Sequence, residues 1–133
     1  MSLQGAINIS VSGLTAQRTR MEAIASNLAN SETTRTPGGG PYRRRIPIFR
    51  TEAGEGAARS VAVERVVLDD APPLIRFEPG HPDADADGRV AYPNVDPVRE
   101  MVDMMSATRS YEANITALKS VRAMKTATLD ITR

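Results

Sequence analysis

The amino-acid sequence predicts a mainly α protein: two long terminal helices pairing as an antiparallel coiled coil, with a small β-rich insertion between them. Three observations carry this. Apolar residues recur in steps of three and four at both ends of the chain. The final stretch, from Val98 to Arg133, contains neither Gly nor Pro. The middle alternates short β-branched runs with Pro, Gly and Asp clusters. The expected division is 1–33 for an N-terminal helix, 34–93 for the loop and β insertion, and 94–133 for a C-terminal helix. Residues 1–33 and 94–133 together would make one helical core.

The first helix is expected from Leu3 to Leu28. Ile7, Val11, Leu14, Met21 and Leu28 fall on one line with Ala25, interrupted only by Arg18, and Ile24 widens the stripe. Gly5 and Gly13, with the β-branched, Ser and Asn residues, make this helix weak in isolation, so it needs a partner.

The run Thr36-Pro-Gly-Gly-Gly-Pro41 cannot continue a helix and reads as a turn-rich linker. Strands are expected at Ile46–Phe49, Ser60–Leu68, Leu74–Phe77 and Arg89–Tyr92, with a loop at Ala53–Ala58.

Asn94-Val-Asp-Pro-Val98 announces the second helix. Asp96 serves as N-cap, and Pro97 takes the first helical position, where a missing N–H costs nothing. Its apolar seam runs Met101, Met104, Thr108, Tyr111, Ile115 and Leu118, then drifts to Val121 and Met124. Carried to Arg133, such a helix is a rod roughly 50 Å long.

Composition narrows the function. Seventeen basic side chains against sixteen acidic ones leave no general attraction to nucleic acid or an anionic membrane. Aromatic residues are only 4%, so the core should be small or completed by neighbours. No cysteine means no disulfide, thiol nucleophile or thiolate zinc site. The start, Met1-Ser-Leu-Gln-Gly, has no basic region followed by an apolar run, so no cleaved secretory signal is expected.

Candidate sites are few. Asp83-Ala-Asp-Ala-Asp-Gly88 has the alternating carboxylates and glycine of half a calcium loop. Asn94 stands where the closing Glu belongs, so an Asp-rich turn bonding its own amides is the expectation. His81, the single histidine, lies in the turn Pro79-Gly-His-Pro82. Arg43, Arg44 and Arg45 follow a glycine run that lacks the Lys-Ser/Thr pair of a phosphate loop. They are expected to make charge contacts between subunits; the competing reading is a discrete coiled-coil regulator binding nucleic acid through them. No Ser sits in a nucleophile motif, so neither catalysis nor a metal or cofactor is expected. Met101, Met104 and Met105 at helical spacing point to packing against other helices.

The two ends carry a recognisable pattern. Ser12-Gly-Leu-Thr-Ala-Gln-Arg-Thr-Arg-Met-Glu-Ala-Ile-Ala-Ser-Asn-Leu-Ala-Asn30, with Ala25, Asn27, Ala29 and Asn30 in its Ala-x-Asn-x-Ala-Asn core, resembles the N-terminal signature of flagellar rod, hook and related axial proteins. The segment from Asn94 through Met101-Val-Asp-Met-Met-Ser-Ala-Thr-Arg-Ser-Tyr-Glu-Ala-Asn114 to Ile131 resembles the matching C-terminal segment. Pro79 to Gly88 and Thr34 to Arg44 resemble the proximal rod branch, and the Asn-x-x-Thr-x-Gly-Tyr form of hook and distal rod proteins is absent. The resemblance implies a non-catalytic building block of the basal-body rod crossing the periplasm, exported by the flagellar type III apparatus. It also implies terminal helices poorly ordered in the free monomer, which pair on assembly. Its implied partners are copies of itself, the rod proteins FlgB, FlgF and FlgG, the adaptor FliE and the membrane-ring protein FliF; no nucleic acid or small-molecule substrate is implied.

Overall fold

A computed structural model describes residues 3–53 and 59–131. Helix α1 spans Leu3–Ala29 and helix α2 spans Pro97–Ile131. Between them come strands β1 (Arg45–Ala53), β2 (Arg59–Leu68), β3 (Leu74–Phe77) and β4 (Arg89–Tyr92). Most of the expected loop at Ala53–Ala58, and the last two residues of the expected C-terminal helix, lie outside the described residues.

The helices start and stop for local reasons. Asp96 caps α2: its Oδ1 accepts the backbone N–H groups of Val98 at 3.0 Å and Arg99 at 3.4 Å, ahead of Pro97 in the first turn. At the end of α1 the Ser26 carbonyl accepts both the Asn30 backbone N–H at 3.1 Å and the Asn30 side-chain amide at 2.9 Å, which fixes the last turn before the chain turns away.

The two helices pack antiparallel, with Asn27 meeting Glu100, Met21 meeting Thr108 and Gly13 meeting Asn114. Their seam differs from the expected apolar one. On α1 the buried residues are Ser10, Ala16, Ala23, Ile24 and Asn27. On α2 they are Glu100, Ala107 and Val121. Large apolar residues expected in the seam lie beside it: Val11 is 46% and Met101 48% exposed, and Thr108 is exposed too. Ile7, Leu14, Met21, Leu28, Met104, Tyr111, Ile115 and Leu118 are half-buried on its flanks, with Ile24 alone fully buried. The physical reason is spacing. Small residues let the backbones approach closely, and large side chains then splay to either side of the contact. Coiled-coil geometry was expected; contact between antiparallel helices is what the structure has.

β1 and β2 form one antiparallel hairpin, β3 and β4 another, and among the described elements the two sheets share no strand. The first hairpin lies along α1. The Arg45 backbone N–H donates to Asn27 Oδ1 at 2.7 Å, and the Val61 N–H donates to Ser12 Oγ at 3.2 Å. Thr51, opposite Val61, is about 20 Å along the strand from Arg45. Ser12 is about as far along the helix from Asn27, so strand and helix keep pace. The second, short hairpin closes through the Asp-rich turn, where Gly88 adopts φ +74° under Phe77 and Pro79. Tyr42, Val90, Tyr92 and Val95 make the small core at this end of the helix pair.

Candidate functional site

Where the last turn of α1, the first turns of α2 and the start of β1 converge, a buried polar node ties all three together. Asn27, 1% exposed, uses all four of its hydrogen-bonding positions. Its Oδ1 accepts from Tyr42 Oη at 3.0 Å and from the Arg45 backbone N–H at 2.7 Å. Its Nδ2 donates to the Arg45 carbonyl at 3.0 Å and to Glu100 Oε2 at 3.1 Å. Glu100 is equally buried, and its second oxygen accepts from Arg44 Nε at 2.6 Å. Ser26 Oγ lies 3.0 Å from Tyr42 Oη and completes the chain. Asp103 broadens the cluster, at 3.5 Å from Arg20 and 3.8 Å from Arg44. A charge buried this deeply is tolerated because a guanidinium and an amide meet both of its oxygens.

Asn27 thus acquires a physical role: it reads the positions of three separate segments at once. Ala25, Ala29 and Asn94 are exposed, and Asn30 is half-buried with its cap on Ser26. Asn94 donates to the Pro72 carbonyl at 3.2 Å, pinning the chain ahead of α2. Sequence reasoning missed Tyr42, Ser26 and Glu100. The available signal was the helical line Glu100, Ala107, Asn114, Val121, at steps of seven, which reads as one face once small and polar residues are admitted to a seam.

The arginine run divides. Arg44 turns inward onto Glu100 and Asp103, so its expected role between subunits gives way to one inside the chain. Arg43 donates to the Asp69 carbonyl at 3.0 Å and pairs with Asp70. Arg45 is exposed. With Arg43 and Arg44 held by this chain's own carboxylates, the run does not present a free phosphate-binding surface.

The Asp-rich turn behaves as the sequence suggests. Asp85 Oδ1 accepts the backbone N–H groups of Asp87 and Arg89 at 2.9 and 2.8 Å. Asp83 accepts from Thr34 Oγ1 at 2.7 Å and pairs with Arg35, which moors the turn to the loop after α1. His81 Nδ1 accepts the Asp83 N–H at 3.0 Å, and its ring meets Tyr92 edge-on. The Tyr92 hydroxyl donates to Glu78 Oε2 at 2.8 Å. That bond raises the phenol above its ordinary pKa, because the carboxylate holds its proton. No described helix is long and apolar enough to cross a membrane.

Two of the three segments joined by this node, α1 and α2, match known families. The family described as flagella basal body rod protein matches residues 7–35, and the flagellar basal body rod FlgEFG protein C-terminal family matches residues 86–131. Over its length the chain is similar to the flagellar basal-body rod protein FlgC of Escherichia coli O6:H1, 46% identical with 98% of each chain covered. It is 41% identical to that of Borreliella burgdorferi over 93% of each. It is also 41% identical to that of Bacillus subtilis, over 94% of this chain and 95% of the relative. Identity at this level across nearly whole chains shows that the chain belongs to the flagellar basal-body rod protein FlgC family.

Proposed function

We propose that this chain is a non-catalytic subunit of the proximal rod of the bacterial flagellar basal body, where it transmits torque and joins the membrane ring and export gate to the distal rod. The observation that carries this reading is the helix pair itself. Its internal seam is built of small and polar residues with Ile24 and Val121, while Leu3, Val11, Val98, Met101, Val102, Met105, Met124 and Leu129 remain exposed along its length. Apolar side chains in helical rows, left uncovered by the chain that carries them, suit burial against neighbouring subunits. Contacts repeating along a helical lattice leave the polymer open. The neighbours in this reading are copies of the chain, FlgB, FlgF, FlgG, FliE and FliF, reached by type III export without a cleaved signal. The side chains that sequence reading flagged for other chemistry are engaged structurally: Asp83 on Thr34 and Arg35, Asp85 within its turn, His81 on a backbone amide.

Deletion of the gene in its host, followed by electron microscopy of isolated basal bodies, tests this. Rings without a completed rod, with swimming restored by the intact gene, are the expected outcome. Intact rods and normal swimming, with no second copy of the gene present, would overturn it.

A further inference from the structure

The two hairpin segments differ in the sign of their net charge. Residues 45–68 carry four arginines, Arg45, Arg50, Arg59 and Arg65, against Glu52, Glu55 and Glu64. The segment 74–92 carries four carboxylates, Glu78, Asp83, Asp85 and Asp87, against Arg76 and Arg89. Each also exposes apolar side chains: Phe49, Val61 and Val66 on the first, Leu74, Ile75 and Phe77 on the second, with Phe77 at 72%. Each is a two-stranded sheet with no third strand among the described residues, although Arg45 and Val61 of the first bond side chains of α1. Among the described elements they do not pack on one another: the β1–β2 hairpin rests on α1, and β3 and β4 pack only on each other.

We infer that the basic β1–β2 hairpin of one copy docks on the acidic β3–β4 hairpin of the next copy of this chain. Opposite net charge, uncovered apolar residues on both surfaces and sheet edges without a third strand are complementary across such a contact. The internal pairs do not cancel it. Arg50–Glu52, Arg65–Glu64 and Arg89 with Asp85 and Asp87 join exposed neighbours and leave each segment's net charge in place, while Arg35 from outside offsets Asp83 and leaves the acidic segment at about one net negative charge. The contact joins two different surfaces, so it adds copies in one direction instead of closing a dimer. It also distinguishes copies of this chain from other subunits with similar terminal helices, because the charge pattern lies outside those helices.

This inference rests on the rod reading, and the test separates the two. The chain has no cysteine, so introduced ones report without background. Val61→Cys with Ile75→Cys, and separately Val66→Cys with Phe77→Cys, are expressed in place of the native chain, and basal bodies from swimming cells are treated with a short bismaleimide. A ladder of multimers containing this chain alone is expected from at least one pair. Swimming cells whose basal bodies contain the chain but give no ladder from either pair, or cross-links only to a different protein, overturn the contact and leave the rod reading standing. Absence of the native chain from basal bodies would sink the rod reading instead. Charge reversal supplies a second readout. Arg50→Glu with Arg65→Glu, or Asp87→Arg alone, lowers ladder yield about tenfold, and combining all three in one chain restores it. Reversals that leave the yield unchanged, or a combined variant that stays low, also overturn the contact.

Discussion

Gly13 of α1 stands directly against Asn114 of α2, so closely that a Cβ at residue 13 would lie 2.9 Å from Asn114 Nδ2 and 3.1 Å from its Oδ1. Read alone, a glycine in the middle of a helix is a weakness. Across this seam it is what allows the helices their close approach.

Two effects of Gly13→Ala oppose each other, and the sign of the result is informative. Alanine favours an isolated helix by about 1 kcal/mol over glycine. Where the helices are packed, the added Cβ meets only the amide end of the half-buried Asn114 side chain, and turning it aside costs a similar amount, about 1 kcal/mol. If the purified chain already holds its helix pair, Gly13→Ala leaves the denaturation midpoint followed by circular dichroism nearly unchanged, and adding Asn114→Ala, which removes the obstruction, raises it. If instead the helices pair only on assembly, helicity of the free chain rises while incorporation into basal bodies falls.

The polar node should be intolerant of partial removal. Arg44→Ala strands the Glu100 carboxylate, 1% exposed, with only the Asn27 amide facing it. Breaking one side of a buried pair costs about 3–5 kcal/mol. Asn27→Ala should be comparable, because it orphans Glu100, the Tyr42 hydroxyl and the Arg45 backbone together. Replacing both charged partners, Arg44→Met with Glu100→Met, should cost less than Arg44→Ala alone. Urea denaturation of the native chain, Arg44→Met, Glu100→Met and the double replacement measures the coupling, and additive losses would mean that the pair does not act as a unit.

The parts of this architecture legible in the sequence are those that periodicity and punctuation encode. The bounds of β3 and β4 and the Asp96–Pro97 opening of α2 follow from local residue types, and the structure has them where expected. The seam was legible only in part: Ile24 is buried in it and most of the other expected residues flank it half-buried, because the expectation equated large apolar residues with full burial inside the chain. Ala16, Ala23 and Ala107 are buried instead, while Val11 and Met101 stay exposed. The node was illegible for a related reason. A lone Glu beside a methionine run looks like a solvated helix residue until the Asn and Arg that meet it, 73 and 56 residues away, are brought together by the fold. Arg43–Arg45 likewise reads as one patch, whereas alternation along the chain sends Arg44 inward between two outward neighbours.

Tyr92 gives the second hairpin a pH response. Its hydroxyl donates to Glu78, so the folded-state pKa lies above the ordinary 10.0. Stability from this bond is therefore fully present below the unfolded value and is lost as pH rises through the folded one. Phenolate absorbance of variants retaining Tyr92 as their single tyrosine should show a midpoint above the ordinary value, and Glu78→Gln should bring it down. An unchanged midpoint in Glu78→Gln would show that the carboxylate does not hold the proton.

Val98, Met101, Val102 and Met105 line one face of α2 at i, i+3, i+4 and i+7, exposed between 48% and 66%. None is needed to hold α2 on α1, whose contacts run through Glu100 and Ala107 on another face. Met101→Asp should consequently change the unfolding free energy of the purified chain by no more than about 0.5 kcal/mol, as at other exposed positions. In cells, the same substitution should leave export intact and abolish swimming, because a carboxylate is forced into an apolar contact between subunits. Leu118→Asp, on the half-buried flank of the seam, should lose both stability and swimming. Immunoblots for the exported chain, swimming assays and denaturation of each purified variant separate these outcomes. A Met101→Asp strain that swims normally would remove this stripe from the set of assembly surfaces, and the helix pair would then have to join its neighbours through α1.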